Sequence, residues 1–181
     1  QWNSWLVRGG YTITIFGLLV TVWGANTWFD LGIPEAPLLW VTAAFAIMLA
    51  IYTAFLFAQA KGRDFWQSPS LALHMLVHSV MAGAAVFALI ALVAETEGLM
   101  SILSNTLIIV LAVNLFTMAT ELTTTHPSTA AHTVVEMIVK GRYKNLFWVG
   151  AVLLGNIVPL ALLVFEPTSN ILIIASVLIL I

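Results

Sequence analysis

The 181-residue sequence has no cysteine and few charges, with 6 Lys and Arg against 8 Asp and Glu. Without Cys the chain can carry no disulfide, no Cys-ligated iron–sulfur cluster and no thioether-bound haem. A formal net charge of −2 argues against nucleic-acid binding. No sequence repeat and no low-complexity tract is visible, which sets aside solenoids and disordered arrays. What is abundant is apolar surface. Soluble domains are about one quarter charged, whereas this chain is 8% charged and 61% hydrophobic, with a mean hydropathy of +1.06. These values indicate an integral membrane protein.

Backbone exposed to lipid must satisfy its own hydrogen bonds, and apolar runs of roughly 20 residues do so as helices. The spacing predicts an all-α, polytopic transmembrane helix bundle forming a single integral-membrane domain over 1–181. Six spans are expected at about 8–29, 37–59, 70–94, 101–122, 145–165 and 168–181. The connections carry turn residues: Gly32 and Pro34, then Gly62, Gly98 and Pro167. The opening Gln1-Trp2-Asn3-Ser4-Trp5 is neither an initiator Met nor a basic signal-peptide start, and the closing "ILIIASVLILI" is a short apolar run. Both ends read as cut from a longer protein.

On this map the charges separate. Arg8, Lys61, Arg63, Lys140, Arg142 and Lys144 fall on one side, and Asp30, Glu35, Glu95, Glu97 and Glu166 on the other. The positive-inside rule makes the first side cytoplasmic, so 60–69 reads as a cytoplasmic hairpin with Phe65 and Trp66 at headgroup level. All seven Trp lie near a span end, as an aromatic belt requires. The longer connection differs from the others. Over 127–141, Pro127 opens and Gly141 closes a helix with Ala131, Val134, Val135, Ile138 and Val139 on one stripe and His132, Glu136 and Lys140 opposite. It is too short to cross a bilayer and reads as an amphipathic cytoplasmic connector, or as a platform on which a partner docks.

Polar residues inside spans suggest function by default, because they are costly there. Ser70, His74 and His78 recur every fourth residue on the third span. Asn114, Thr117 and Glu121 line one stripe of the fourth. His74, His78, Asn114, Thr117 and Glu121 are therefore candidates for a proton relay. The alternative is that His74 and Glu121 pair as interhelical glue. Haem ligation by His78 would need a second buried His on another helix, and the sequence offers none. Tyr52 and Gln59 could line a polar seam, and Asn156 before Pro159 reads as satisfying backbone freed by the proline.

Several stretches resemble one family. The run "YTAFLFAQAKGRDFWQSPSLALHMLVHSVMAGAAV" is similar to the middle of the NrfD/PsrC family of polysulfide-reductase-type membrane subunits. In "GRYKNLFWVGAVLLGNIVPLALL", Gly141, Phe147-Trp148, Gly155 and Pro159 match the family's "G…FW…G…P" run, and "NSWLVRGGYTI" is similar to the start of its third helix. The resemblance covers nearly the whole chain and rests on short, mostly structural motifs. It implies eight helices in two four-helix bundles, the six spans here being helices three to eight and the first two absent.

The resemblance also implies a role. A family member anchors a respiratory complex in the bacterial inner (cytoplasmic) membrane. It passes electrons between quinone (menaquinone or ubiquinone) and a ferredoxin-like Fe–S subunit, itself paired with a molybdopterin catalytic subunit. The chain would then be a subunit without the catalytic centre, holding neither haem nor Fe–S itself. Asn26, Asp30, Trp40 and Thr42 lie at the outer ends of the first two spans, which belong to the family's quinone-holding bundle, and are the candidate quinone-binding residues. Their alternative role is interface anchoring and helix capping. A different class of function, a secondary transporter or proton conductor, stays open, although only Pro159 interrupts a span and no charge lies near a midplane.

Overall fold

The computed structural model describes residues 4–59, 70–94, 97–123, 129–165 and 168–180. The expectations for the 60–69 hairpin, for Pro127 and for Glu95, Glu166 and Pro167 lie outside the described residues. Every regular element described is helical. They are α1 (Trp5–Phe29), α2 (Glu35–Ala58), α3 (Ser70–Val93), α4 (Glu97–Thr123), α5 (Thr129–Val139), a π-helix (Leu146–Ile157), α6 (Val158–Phe165) and α7 (Ser169–Leu180). Among the described residues, five helical stretches are long and apolar enough to cross a membrane: Trp5–Phe29, Glu35–Ala58, Ser70–Ala91, Gly98–Thr123 and Leu146–Phe165. The apolar stretch Asn170–Leu180 is shorter. The protein is an all-α, multi-pass helical bundle.

The chain forms two compact units, Gln1–Leu76 and Val77–Ile181. In the first, α1 and α2 make a helical hairpin whose turn is set by local chemistry. Asp30 takes a left-handed conformation at φ 51°, ψ 55°, and Gly32 follows at φ 72°. Gly adopts that region without strain, and Asp tolerates it better than most residues. The far end of the hairpin is held by rings. Trp5 stacks on Phe55 with centroids 4.7 Å apart, and the Arg8 guanidinium lies 4.9 Å from the Trp5 ring centroid. One turn further in, Gly9 lets the Tyr52 ring approach the α1 backbone: a Cβ there would sit 2.7 Å from Tyr52 Cδ2.

Threonines along these helices return their hydroxyls to the preceding turn. Thr12 donates to the Arg8 carbonyl at 3.0 Å and Thr42 to the Leu38 carbonyl at 2.7 Å. This satisfies a hydroxyl within its own helix, which matters where no water can do so.

In the second unit the core is a seam of small and branched residues. Ala84, Ala85 and Ala88 of α3 meet Leu107 and Leu111 of α4, Leu163 of α6, and Leu172 and Ala175 of α7. Lipid is as apolar as Leu, so such helices associate through close packing, and alanines allow the backbones to approach. The outward faces stay apolar as well; Phe116 is 69% exposed. A soluble bundle could not leave such faces bare, and a bilayer covers them. Next to this unit's π-helix, α5 ends at Val139, and two residues on is Gly141, where an added Cβ would meet the Met137 backbone at 2.8 Å. Trp148 Nε1 donates back to the Val139 carbonyl at 3.1 Å and ties the end of α5 to the π-helix.

Candidate functional site

Two hydrogen bonds link α3, α4 and the π-helix inside the second unit, and a third within the π-helix sets their direction. The Asn156 Nδ2 donates to the Ala151 carbonyl at 2.8 Å. A backbone carbonyl only accepts, so this bond fixes which way the Asn156 amide points. Its Oδ1 then accepts from Asn114 Nδ2 at 2.8 Å, and Asn114 Oδ1 faces His78 Nε2 at 3.1 Å. With Asn114 Oδ1 as acceptor, His78 must carry its proton on Nε2. The chain of donors therefore runs in one direction, from His78 through Asn114 and Asn156 to the Ala151 carbonyl. Asn114 and Asn156 are both buried.

The π-helix accounts for the place of Asn156. Pro159 has no N–H to give to the preceding turn and its ring crowds that turn, which an α-helix accommodates poorly. The chain responds with wider turns bonded five residues back, as in Val158 N–H to the Leu153 carbonyl. In an α-helix, Gly150 and Gly155 would face about 140° apart. In the π-helix they stack, and a Cβ on Gly155 would lie 3.4 Å from the Gly150 carbonyl oxygen.

Beside these residues lies a cavity of about 540 Å³. Its polar lining consists of His78, Asn114 and Asn156, while Met81, Met118, Leu146 and Leu154 are among its apolar lining residues. Gly150, Ala151 and Gly155 keep the π-helix wall thin. The volume falls within the roughly 300–1,000 Å³ of small-molecule sites, and an apolar sleeve with a few convergent polar groups is their usual make-up.

The residues singled out from sequence fare differently. His78 and Asn114 are brought together. The Thr117 hydroxyl donates to the Asn114 carbonyl at 2.8 Å and not to a side chain. His74 lies on the part of α3 belonging to the first unit, and Glu121 is half-buried near the end of α4 in the second. In the first unit, Asn26 is buried with both polar atoms engaged: its Nδ2 donates to the Ile33 carbonyl at 3.1 Å and its Oδ1 accepts from Ile33 N–H at 3.0 Å. Thr42 is buried with its hydroxyl spent on Leu38, Asp30 caps α1, and Trp40 is exposed on α2. Asn156 belongs to the cavity as well as to its own helix. Sequence alone offered only the second role, since its link to Asn114 spans 42 residues.

Among the described residues no three His, Cys, Asp or Glu side chains gather as metal ligands. Comparison with curated proteins and with solved structures found no match. The family described as "Polysulphide reductase, NrfD" matches residues 2–181. A match over nearly the whole chain, on a multi-pass helical bundle, settles the assignment: this protein belongs to the polysulphide reductase NrfD family, whose membership implies a membrane-anchor role in a respiratory complex.

Proposed function

We propose that the chain is the quinone-interacting anchor of a membrane oxidoreductase, passing electrons between the quinone pool and an Fe–S partner subunit that serves a molybdopterin catalytic subunit. The observation that carries this reading is the family match over residues 2–181. In the same reading the chain supplies six spans, α7 being part of the last, of an eight-helix fold in two four-helix bundles. The bundle sits in a bacterial inner membrane with the Lys- and Arg-bearing connections cytoplasmic. The cofactors of electron transfer belong to the partners, and this chain holds neither haem nor Fe–S.

Quinone chemistry moves protons along with electrons, so the reading needs a headgroup site and a proton route. Asn26, Asp30, Trp40 and Thr42 are the proposed headgroup residues. With both Asn26 polar atoms occupied by Ile33, its contribution is to hold the turn that presents Trp40. His74, His78, Asn114, Thr117 and Glu121 form the proposed route. The His78–Asn114 hydrogen bond supports it, with His78 as the group that takes and gives the proton and Asn114 as the amide that orients its ring.

The test is made on the complex purified in detergent. An anchor of this kind comes out with Cys-rich Fe–S and molybdopterin subunits, whereas a transporter comes out alone or as a homo-oligomer. In that complex Trp40→Ala should raise the KM for quinol several-fold with the complex intact. An unchanged KM would remove the first-unit headgroup site. Normal turnover and proton coupling in both Glu121→Gln and His78→Gln would remove the relay.

A further inference from the structure

The cavity of the second unit contains more hydrogen-bonding capacity than its own residues use well. Asn114 Nδ2 has two N–H donors. One is matched to Asn156 Oδ1 at 2.8 Å, and the partner found for the amide nitrogen beyond that is the Met118 thioether, 3.9 Å away. A thioether is a weak acceptor. Asn114 is 2% exposed, so water is a poor substitute. A strong amide donor thus faces a weak sulfur partner at the wall of an apolar cavity that both residues line.

We propose that this cavity is a binding site for a lipid-soluble ring carbonyl compound, of the quinone class. Its carbonyl oxygen would take the Asn114 amide N–H now directed at Met118. The site is formed wholly by residues of Val77–Ile181 and contains none of Asn26, Asp30, Trp40 or Thr42. It rests on the quinone reading above only for the choice of headgroup; the need for a carbonyl acceptor comes from the cavity itself.

Three features favour a carbonyl-bearing occupant over a bare hydrocarbon chain. The first is directional. Asn156 is oriented by the Ala151 carbonyl and Asn114 by Asn156, so the remaining amide donor has a fixed aim and no freedom to turn away. Preset donors of this kind recognise an acceptor at little reorganisation cost. The second is the displaced partner: Met118 is unbranched and flexible, so its sulfur can move aside without disturbing the helix. The third is the wall: Gly150, Ala151 and Gly155 line it with no side chain larger than a methyl group, which leaves room for a ring, and π-segments are frequent at functional sites. An acyl chain would fill the same sleeve but would leave the amide facing sulfur.

The proposal is tested on the purified complex with a short-chain benzoquinone that carries a diazirine on its tail. Photolabel should appear on peptides covering Met118 and 146–157. Excess unmodified short-chain quinone should compete it away, and hexadecane or phospholipid should not. No label on these peptides, or equal competition by hexadecane or phospholipid, overturns the proposal, the second result making the cavity an acyl-chain site.

Gly150→Leu places a side chain into the cavity where an added Cβ meets only the Leu146 Cδ1 at 3.6 Å. By occupying the space a ring would take, it should cut the labelling about tenfold or more, equivalent to at least about 1.4 kcal/mol of binding, and unchanged labelling overturns the proposal. Where Gly150→Leu does not assemble, the competition on the unsubstituted complex decides: loss of label to excess short-chain quinone alone is expected, and equal loss to hexadecane or phospholipid overturns the proposal. Quinol turnover is read on the same preparations. Labelling in a complex that does not turn over quinol supports this site and removes the redox reading. Turnover with no label at this cavity overturns this site and leaves the redox reading standing.

Discussion

Asn114 on α4 donates its amide to Asn156 on the π-helix at 2.8 Å, between two buried side chains 42 residues apart. Leaving one buried partner unsatisfied costs about 1–3 kcal/mol. Asn156→Leu should therefore destabilise the second unit by about that amount. The double variant Asn114→Leu, Asn156→Leu should be less destabilised than the sum, with a coupling on the order of 1 kcal/mol. Unfolding in mixed micelles across the four-member cycle measures it; strict additivity would mean that the bond contributes nothing.

Asn26 clamps the α1–α2 turn through both Ile33 backbone groups. Asn26→Ala should lower stability by roughly 1–3 kcal/mol. Asn26→Asp should rescue only partly, because a carboxylate accepts the Ile33 N–H but has no donor for the Ile33 carbonyl. Thermal denaturation of the three proteins ranks them, and full rescue by Asp would remove the donor half of the clamp.

Gly9 and Gly10 are neighbours in sequence and opposites in surroundings. A Cβ at Gly9 enters the Tyr52 ring, whereas one at Gly10 has nothing within 4 Å. Gly9→Ala should cost about 1–3 kcal/mol through overpacking, and Gly10→Ala should be neutral or slightly stabilising through helix propensity. Tyr52→Leu should restore part of the Gly9→Ala loss in thermal unfolding. Equal effects of the two alanines would place the helices differently.

Ser176 is fully buried, and among the described residues its hydroxyl has no hydrogen-bond partner. Removing a polar group left unsatisfied in an apolar seam relieves a desolvation cost, so Ser176→Ala should stabilise by about 1 kcal/mol. Thermal unfolding in detergent reads the sign, and a loss of stability would reveal a partner for that hydroxyl.

The absence of native Cys makes topology directly measurable. Tyr143, in the connection between α5 and the π-helix, and Gly98, at the start of α4, are both exposed. Cysteines placed at these two positions should label from opposite faces of intact cells with an impermeant thiol reagent, Gly98→Cys from outside. Labelling of both from outside would overturn the map, and labelling of Tyr143→Cys alone from outside would reverse the positive-inside assignment.

The sequence by itself determined that this is an all-α multi-pass membrane protein of the NrfD family. Both properties are local. Apolar run length sets the helices because lipid offers the backbone no partner, and the family's "G…FW…G…P" run is read residue by residue. That Asn156 would bond within its own helix was legible, but its partner was not: it donates to the Ala151 carbonyl, not to a carbonyl that Pro159 frees four or five residues back. The cavity was not legible. Whether span 145–165 would answer Pro159 with a kink or with π-turns depends on the helices packed against it, and only the π-turns stack Gly150 on Gly155. Likewise no spacing rule joins His78, Asn114 and Asn156, which lie on three elements. Nor does any rule turn Asn26 from an outward-facing candidate into a clamp on Ile33. Packing decided these, because a polar side chain surrounded by apolar groups takes the nearest partner the fold presents.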